Sequence, residues 1–330
     1  MVQIHPPLSM CATNIRLRDF VIMDNDWIFA VSGYDQTGGV PAVLRYLPDR
    51  DGDRELDGVR YRKIDFDDSS GFLEENRPSW KFRVPEDAIS RIFRTEERVP
   101  SLVKEDLRVA VIVDLLEKAG IPLDKMGVTG SMLPGLQIAG SDIDFVVYGK
   151  YWFLARDAII QEIAKNKDSG DSEGSDPLCV TEISEEMWHR IYAKRVPEIS
   201  FEEFLVHELR KGNRGMIGGT YFDLLFVRDH DQLPVQQERG ADRNRCTITA
   251  PVVNADLAFD NPAVYEIDHP VISEILCYTH TYAGQALAGE TVEARGMMEE
   301  LSDHRRRLVV GTSREPVDEW MRSLSLLSGL

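Results

Sequence analysis

A chain of 330 residues with 43% hydrophobic content can bury a full core and has room for two or three domains. Its 56 acidic and 38 basic residues leave a formal net charge of −18. That excludes a broad non-specific grip on nucleic acid, which relies on clustered cations, but leaves a local basic patch open. No apolar run approaches the ~20 residues of a membrane span, so no membrane partner is expected. The N-terminal Met-Val-Gln-Ile-His-Pro-Pro lacks the basic and apolar regions of a signal peptide, and cytoplasmic residence is the expectation. Cys11, Cys179, Cys246 and Cys277 are scattered, without metal-ligand spacing, and are expected to be reduced thiols.

In chain order, three parts emerge: a β-rich module over 1–100, a mixed α/β domain over 101–240, and a β-rich module over 241–330. The first has strand-like runs at 19–23, 27–31, 42–47 and 59–64, separated by turn signals such as Asp24-Asn25-Asp26. Its acidic stretch 49–57 reads as solvated loop. The second opens with helical periodicity over 103–119, stopped by Gly120 and Pro122. A strand over 125–129, a short helix over 132–139, a strand over 143–148 and a long helix over 151–165 follow. Residues 166–176 are Gly/Ser-rich and polar, a surface loop. Helices over 184–195 and 200–211 lead to a buried strand over 219–227. The third part has strand patterns at 246–250, 291–296 and 307–311, then a helix starting at Thr312 or Ser313 with Glu315 and Pro316 in its first turn. The Glu290–Gly296 run followed by a hairpin is reminiscent of OB-fold barrels, and Arg305-Arg306-Arg307 in that hairpin could track phosphates or be solvated.

The chemistry is concentrated in 128–148. Gly130-Ser131 follows an apolar run, offering close backbone approach, free N–H groups and a hydroxyl to a phosphate. Asp142 and Asp144 alternate on a strand and so share a face, with Ile143 turned to the core. Two such carboxylates repel unless a cation lies between them, and their hard oxygens suit magnesium or manganese. Asp223, one acid in an apolar run, would be costly to bury alone; on a neighbouring strand it completes a set of three able to hold two metals. Ahead of it, the Gly-rich stretch 210–219 carries Lys211 and Arg214, candidates for phosphate contact, with an exposed solvated hairpin as the alternative. Lys150 and Tyr192-Ala193-Lys194-Arg195 are weaker candidates, and His189 and His207 read as packed or surface residues.

The Gly-Ser, Asp-x-Asp and distant-Asp arrangement resembles the DNA polymerase beta-like nucleotidyltransferase superfamily. Residues 131–150 with 211–228 look closest to predicted archaeal nucleotidyltransferases of unassigned substrate, relatives of the minimal nucleotidyltransferases and archaeal CCA-adding enzymes. The likeness covers roughly residues 101–230. It implies an α+β chain with a central nucleotidyltransferase domain, a small mixed sheet with packed helices. It further implies that Gly130 and Ser131 bind a nucleoside triphosphate, that Asp142 and Asp144 bind both metals, and that Asp223 binds the catalytic one. Pro134 stands where minimal nucleotidyltransferases often carry an arginine, which removes one phosphate contact. The activity implied is transfer of a nucleoside monophosphate to an acceptor hydroxyl of RNA, protein or a small molecule. The alternative is a non-catalytic nucleic-acid or protein-binding adaptor on the same fold. The oligomeric state is not legible.

Overall fold

The computed structural model describes residues 15–168, 178–235, 238–313 and 317–329. The architecture is α+β, with three separate sheets. Two compact units divide the chain: Met1–Arg94 with Leu133–Leu136, and Thr95–Met132 with Gln137–Leu330. The first boundary thus precedes the expected 100/101 step, and the C-terminal sheet belongs to the same unit as the central one.

The first unit contains β1 (Phe20–Met23), β2 (Ile28–Val31), β3 (Val40–Pro48), β4 (Arg54–Leu56), β5 (Val59–Lys63), α1 (Phe66–Asn76), β6 (Arg83–Val84) and β7 (Ile89–Phe93). Their sheet runs β4-β5-β3-β2-β1-β7, with β6 on β3. The acidic stretch is partly strand: β4 pairs with β5 across Asp57-Gly58, both at positive φ, as a two-residue hairpin requires. The helix expected over 132–139 does not form. One 3₁₀ turn, Gly130–Met132, runs into Pro134 and Gly135, the latter at φ 77°. Leu133 and Leu136 are then buried against Phe20, Ile22, Tyr46 and Tyr61, and Arg54 Nη1 donates to the Leu136 carbonyl at 2.6 Å. Core burial and a left-handed glycine outweigh helix propensity here.

In the second unit the single helix expected over 103–119 is two, α2 (Thr95–Glu105) and α3 (Leu107–Lys118). Asp106 separates them, its carboxylate accepting from the Arg108 N–H at 2.9 Å as an N-cap. Then come β8 (Met126–Val128), β9 (Ile143–Tyr148), α4 (Tyr151–Asp168), β10 (Val180–Thr181), α5 (Glu185–Arg195), α6 (Phe201–Lys211), β11 (Arg214–Ile217) and β12 (Thr220–Val227). α4 thus continues through 166–168, where the polar loop was expected to begin, and 169–176 lie outside the described residues. The sheet order is β10-β11-β12-β9-β8, with β12 and β9 its one parallel pair. Ile143, Phe145 and Val147 of β9 join Phe222, Leu224 and Phe226 of β12 in one core with Ile112, Leu116 and Trp152 of the helices. The two-residue period then commits the opposite sheet face to Asp144 and Asp223.

The last sheet is built from β13 (Ala241–Asn254), β14 (Ala263–Ile267), β15 (Glu274–Cys277), β16 (Thr291–Glu300), β17 (Arg306–Val310) and β18 (Trp320–Ser323). Pairing runs β13-β14-β15-β17-β16 and returns from β16 to β13, so five strands close into a ring with β18 alongside β16. A small closed barrel of this kind fits the OB-like expectation and leaves few open edges. The expected terminal helix is replaced by β18 and one turn, α7 (Leu324–Leu327); Glu315 and Pro316 lie outside the described residues. Cys179, Cys246 and Cys277 are free thiols, and Cys11 lies outside the described residues.

The barrel is joined to the central sheet's helices by packing and charge. Phe259 lies over Trp152 with ring centroids 4.1 Å apart, Arg228 Nε meets Asp260 at 2.6 Å, and Arg210 bonds Glu290 and the Gln285 carbonyl. His207 is buried in this seam. Its Nδ1 faces the Glu203 carbonyl at 2.6 Å and so carries the proton, while Nε2 accepts from the Ser323 N–H at 3.0 Å. Burial, the larger cause, pushes its pKa down to about 4. Below the ordinary value of about 6.5 the unfolded chain takes up a proton that the folded one refuses. This contribution is complete above about pH 6.5 and is lost as pH falls towards the folded value. Between those limits the wild type is expected to lose roughly 3 kcal/mol more than His207→Gln, read from urea midpoints across pH. Parallel pH profiles for the two proteins would refute the assignment.

Candidate active site

Strand register brings the second and third predicted acids together. Asp223 on β12 pairs with Asp144 on β9, and both lie on the sheet face turned away from the helical core. Asp142, exposed, stands immediately before β9. The Thr129 N–H donates to the Asp144 carbonyl at 2.9 Å, so the Gly-Ser turn starts beside the carboxylate. Gly130 has φ 66°, and a Cβ there would stand 2.2 Å from Asp144 Oδ2. Only glycine lets that backbone lie against the acid. Ser131 follows, half-buried, in the single 3₁₀ turn.

Asp223 is buried and fully dressed. Asn213 Nδ2 donates to Oδ1 at 3.0 Å, while His280 Nε2, Arg214 Nε and Tyr221 OH approach Oδ2 at 3.1, 3.3 and 3.4 Å. Burial works against its charge, but Arg214 and then His280 hold its pKa well below the ordinary carboxylate range. His280 keeps 42% of its side-chain surface accessible. Desolvation by the surrounding protein still pushes its pKa down to about 4, with Asp223 opposing. With the acid ionised and the ring neutral, Nε2 is the donor.

The two cations expected to meet phosphate are placed inside the protein instead. Lys211 is buried, its Nζ bonded to Glu208 Oε1 at 2.7 Å and the Thr281 carbonyl at 2.6 Å. Arg214, buried beside its cross-strand partner Asp223, also pairs with Glu208. Glycine chemistry explains the placement. Gly212 ends α6 in the left-handed conformation, and Gly218-Gly219, both at positive φ, close the β11–β12 hairpin, turning both cations inward. Arg195 is the third cation of the cluster, 3.7 Å from Glu208 and 19% accessible. Burial and Arg214 pull its pKa to about 9, still charged at neutral pH. Lys150 and Lys194 are exposed, and Tyr192 OH donates to the Ile199 carbonyl. His189 is a surface residue stacked on Phe201. In the barrel hairpin, Arg305, Arg306 and Arg307 pair with Asp303, Glu300 and Glu299.

Sequence reasoning missed His280, Asn213 and Glu208. Asn213 is adjacent to a named candidate, and Glu208 lies one helical turn before Lys211. His280, 57 residues from Asp223, leaves no such trace.

Among the described residues no three acidic, histidine or cysteine side chains converge into a ready metal cluster. The donor set fits a looser arrangement. Magnesium is ordinarily held by one or two carboxylates, with waters and substrate phosphates completing its shell, and Asp144 with Asp223 supplies that pair.

The chain is 33% identical over 349 aligned positions to the uncharacterized protein MJ1086 of Methanocaldococcus jannaschii, covering 93% of this chain and 98% of that protein. The chain belongs to the family of that protein. No family model and no solved structure matches it. Among the described residues no helix is long and apolar enough to cross a membrane.

Proposed function

We propose that this protein is a magnesium- or manganese-dependent nucleotidyltransferase that moves a nucleoside monophosphate from a nucleoside triphosphate to an acceptor hydroxyl, releasing pyrophosphate. The observation that carries the reading is the in-register pair Asp144–Asp223 with the backbone of Gly130 lying against the Asp144 carboxylate. Asp144 and Asp223 would hold the cation, with Asp142 at the exposed strand entrance able to join them once a nucleotide is bound. A divalent ion there would lower the acceptor's pKa and neutralise the phosphates. Gly130 and Ser131 present backbone and hydroxyl to the triphosphate. Asn213 and Arg214 orient Asp223 and keep it ionised, while Arg195 adds positive potential behind it. That potential favours the polyphosphate from a distance, rather than by the direct contact expected of Lys211 and Arg214. The described cysteines, all free thiols, suit a reducing compartment such as the cytoplasm. The acceptor we favour is an RNA end, presented beside the barrel.

The test is incubation with magnesium and each α-labelled nucleoside triphosphate, together with RNA and protein fractions from the host. Label moving to a macromolecule with the wild type, but not with Asp142→Asn/Asp144→Asn, is the expected result. It would also identify the acceptor class. Absence of transfer from every nucleotide, with manganese still bound, would turn the reading to a non-catalytic adaptor.

A further inference from the structure

Asp223 carries more donors than a metal-ligating carboxylate can keep. Three of the four converge on Oδ2, where a cation and a hydrogen bond on the same lone pair exclude one another. Arg214 is the cross-strand partner of Asp223, and Tyr221 precedes it by two residues on the same strand, so the sheet ladder fixes both. His280 differs in each respect. It arrives from the barrel on a single 3₁₀ turn, His280–Tyr282, between β15 and β16. Its side chain is 42% accessible where that of Arg214 is 3% accessible, and it can swing into solvent without breaking a strand pair. It also makes the shortest of the three contacts on Oδ2, at 3.1 Å. A buried, charged oxygen left without such a partner would be costly.

We propose that His280 is a placeholder on Asp223: it satisfies Oδ2 until a divalent cation takes that oxygen, and so sets how tightly the site takes the cation. The inference rests on the reading of Asp144 and Asp223 as cation ligands. The competing role for His280 is a strut that keeps the carboxylate in place for the cation. The two roles differ in sign. Removing a strut weakens cation binding, whereas removing a competitor tightens it, and general loosening of the fold does not raise affinity.

The experiment is a manganese titration without nucleotide, read by the electron paramagnetic resonance signal of the free ion. It compares the full-length wild type, His280→Ala, His280→Gln and Asp144→Asn/Asp223→Asn, with circular dichroism melts reporting folding. His280→Ala is expected to bind manganese about three- to tenfold more tightly, the scale of one ordinary net hydrogen bond. His280→Gln, whose amide can still donate, is expected to remain near wild type. Should His280→Ala not fold, His280→Asn, too short to reach Oδ2, carries the same expectation. Unchanged or weaker affinity in a folded His280→Ala or His280→Asn overturns the placeholder role while leaving the cation site standing. A wild type that takes up no more manganese than Asp144→Asn/Asp223→Asn overturns the cation site and the inference together.

Discussion

Replacing Glu208 with alanine is expected to destabilise the protein by about 3–5 kcal/mol, the usual result of stripping one partner from a buried ion pair. Glu208 is buried and is the shared counter-charge of Lys211, Arg214 and Arg195. Without it, Asp223 is the remaining anion of that buried group, and Lys211 keeps only the Thr281 carbonyl. Denaturant midpoints at constant m-value would register the loss. The companion variant Glu208→Leu/Lys211→Met removes both charges and keeps most of the volume. It is expected to recover much of the loss, because desolvating an ion pair offsets most of what the pair contributes. Equal destabilisation in the single and double variants would show that the cluster is held by packing rather than by charge. Because Arg214 contacts both Glu208 and Asp223, the same variants connect the fold's interior to the candidate site.

The second large effect is expected at Gly130. Alanine there meets two separate costs. The left-handed backbone, φ 66°, disfavours any L side chain by roughly 1–2 kcal/mol. The new Cβ would also stand 2.2 Å from Asp144 Oδ2, well inside contact distance, so the carboxylate must shift. Misplacement of a reacting group on the scale of 1 Å can reduce turnover about 10²-fold, and Gly130→Ala is expected to lower nucleotide transfer by that order. Gly135→Ala provides the control. Gly135 has φ 77° with nothing within 4 Å of its would-be Cβ, so it incurs the backbone cost without disturbing the acid. Comparable thermal midpoints for the two variants, with transfer lost only in Gly130→Ala, would tie the effect to Asp144. Equal transfer in both would remove Gly130 from the site.

Much of the central sheet was legible because its signals are local. The β9 strand was read over 143–148 and forms over Ile143–Tyr148, since a short β-branched and aromatic run broken only by Asp144 needs only its own residues to declare itself. The helices read over 184–195 and 200–211 form as α5 and α6, where the Ser184 and Ser200 hydroxyls cap the following N–H groups. What failed was also local in cause. Three-residue β4 is too short and too charged to show a period, and the helix over 132–139 lost to the burial of Leu133 and Leu136, which propensity cannot foresee. In 103–119 the apolar spacing continues through Asp106, and the cap that divides α2 from α3 is visible only once its hydrogen bond is.

The identity of the candidate acids and the glycine beside them was determined by the sequence alone, because alternation on a strand and the special freedom of glycine are properties of neighbouring residues. Which acids meet, and what surrounds them, was decided by tertiary structure. The parallel register of β9 and β12 sets Asp223 against Asp144 and leaves Asp142 at the entrance. The end of α6 and the β11–β12 ladder convert Lys211 and Arg214 from expected phosphate ligands into buried partners of Glu208 and Asp223. The closure of the barrel delivers His280 from 57 residues away. Contacts at such separations are chosen by the packing of whole sheets, and no window of adjacent residues encodes them.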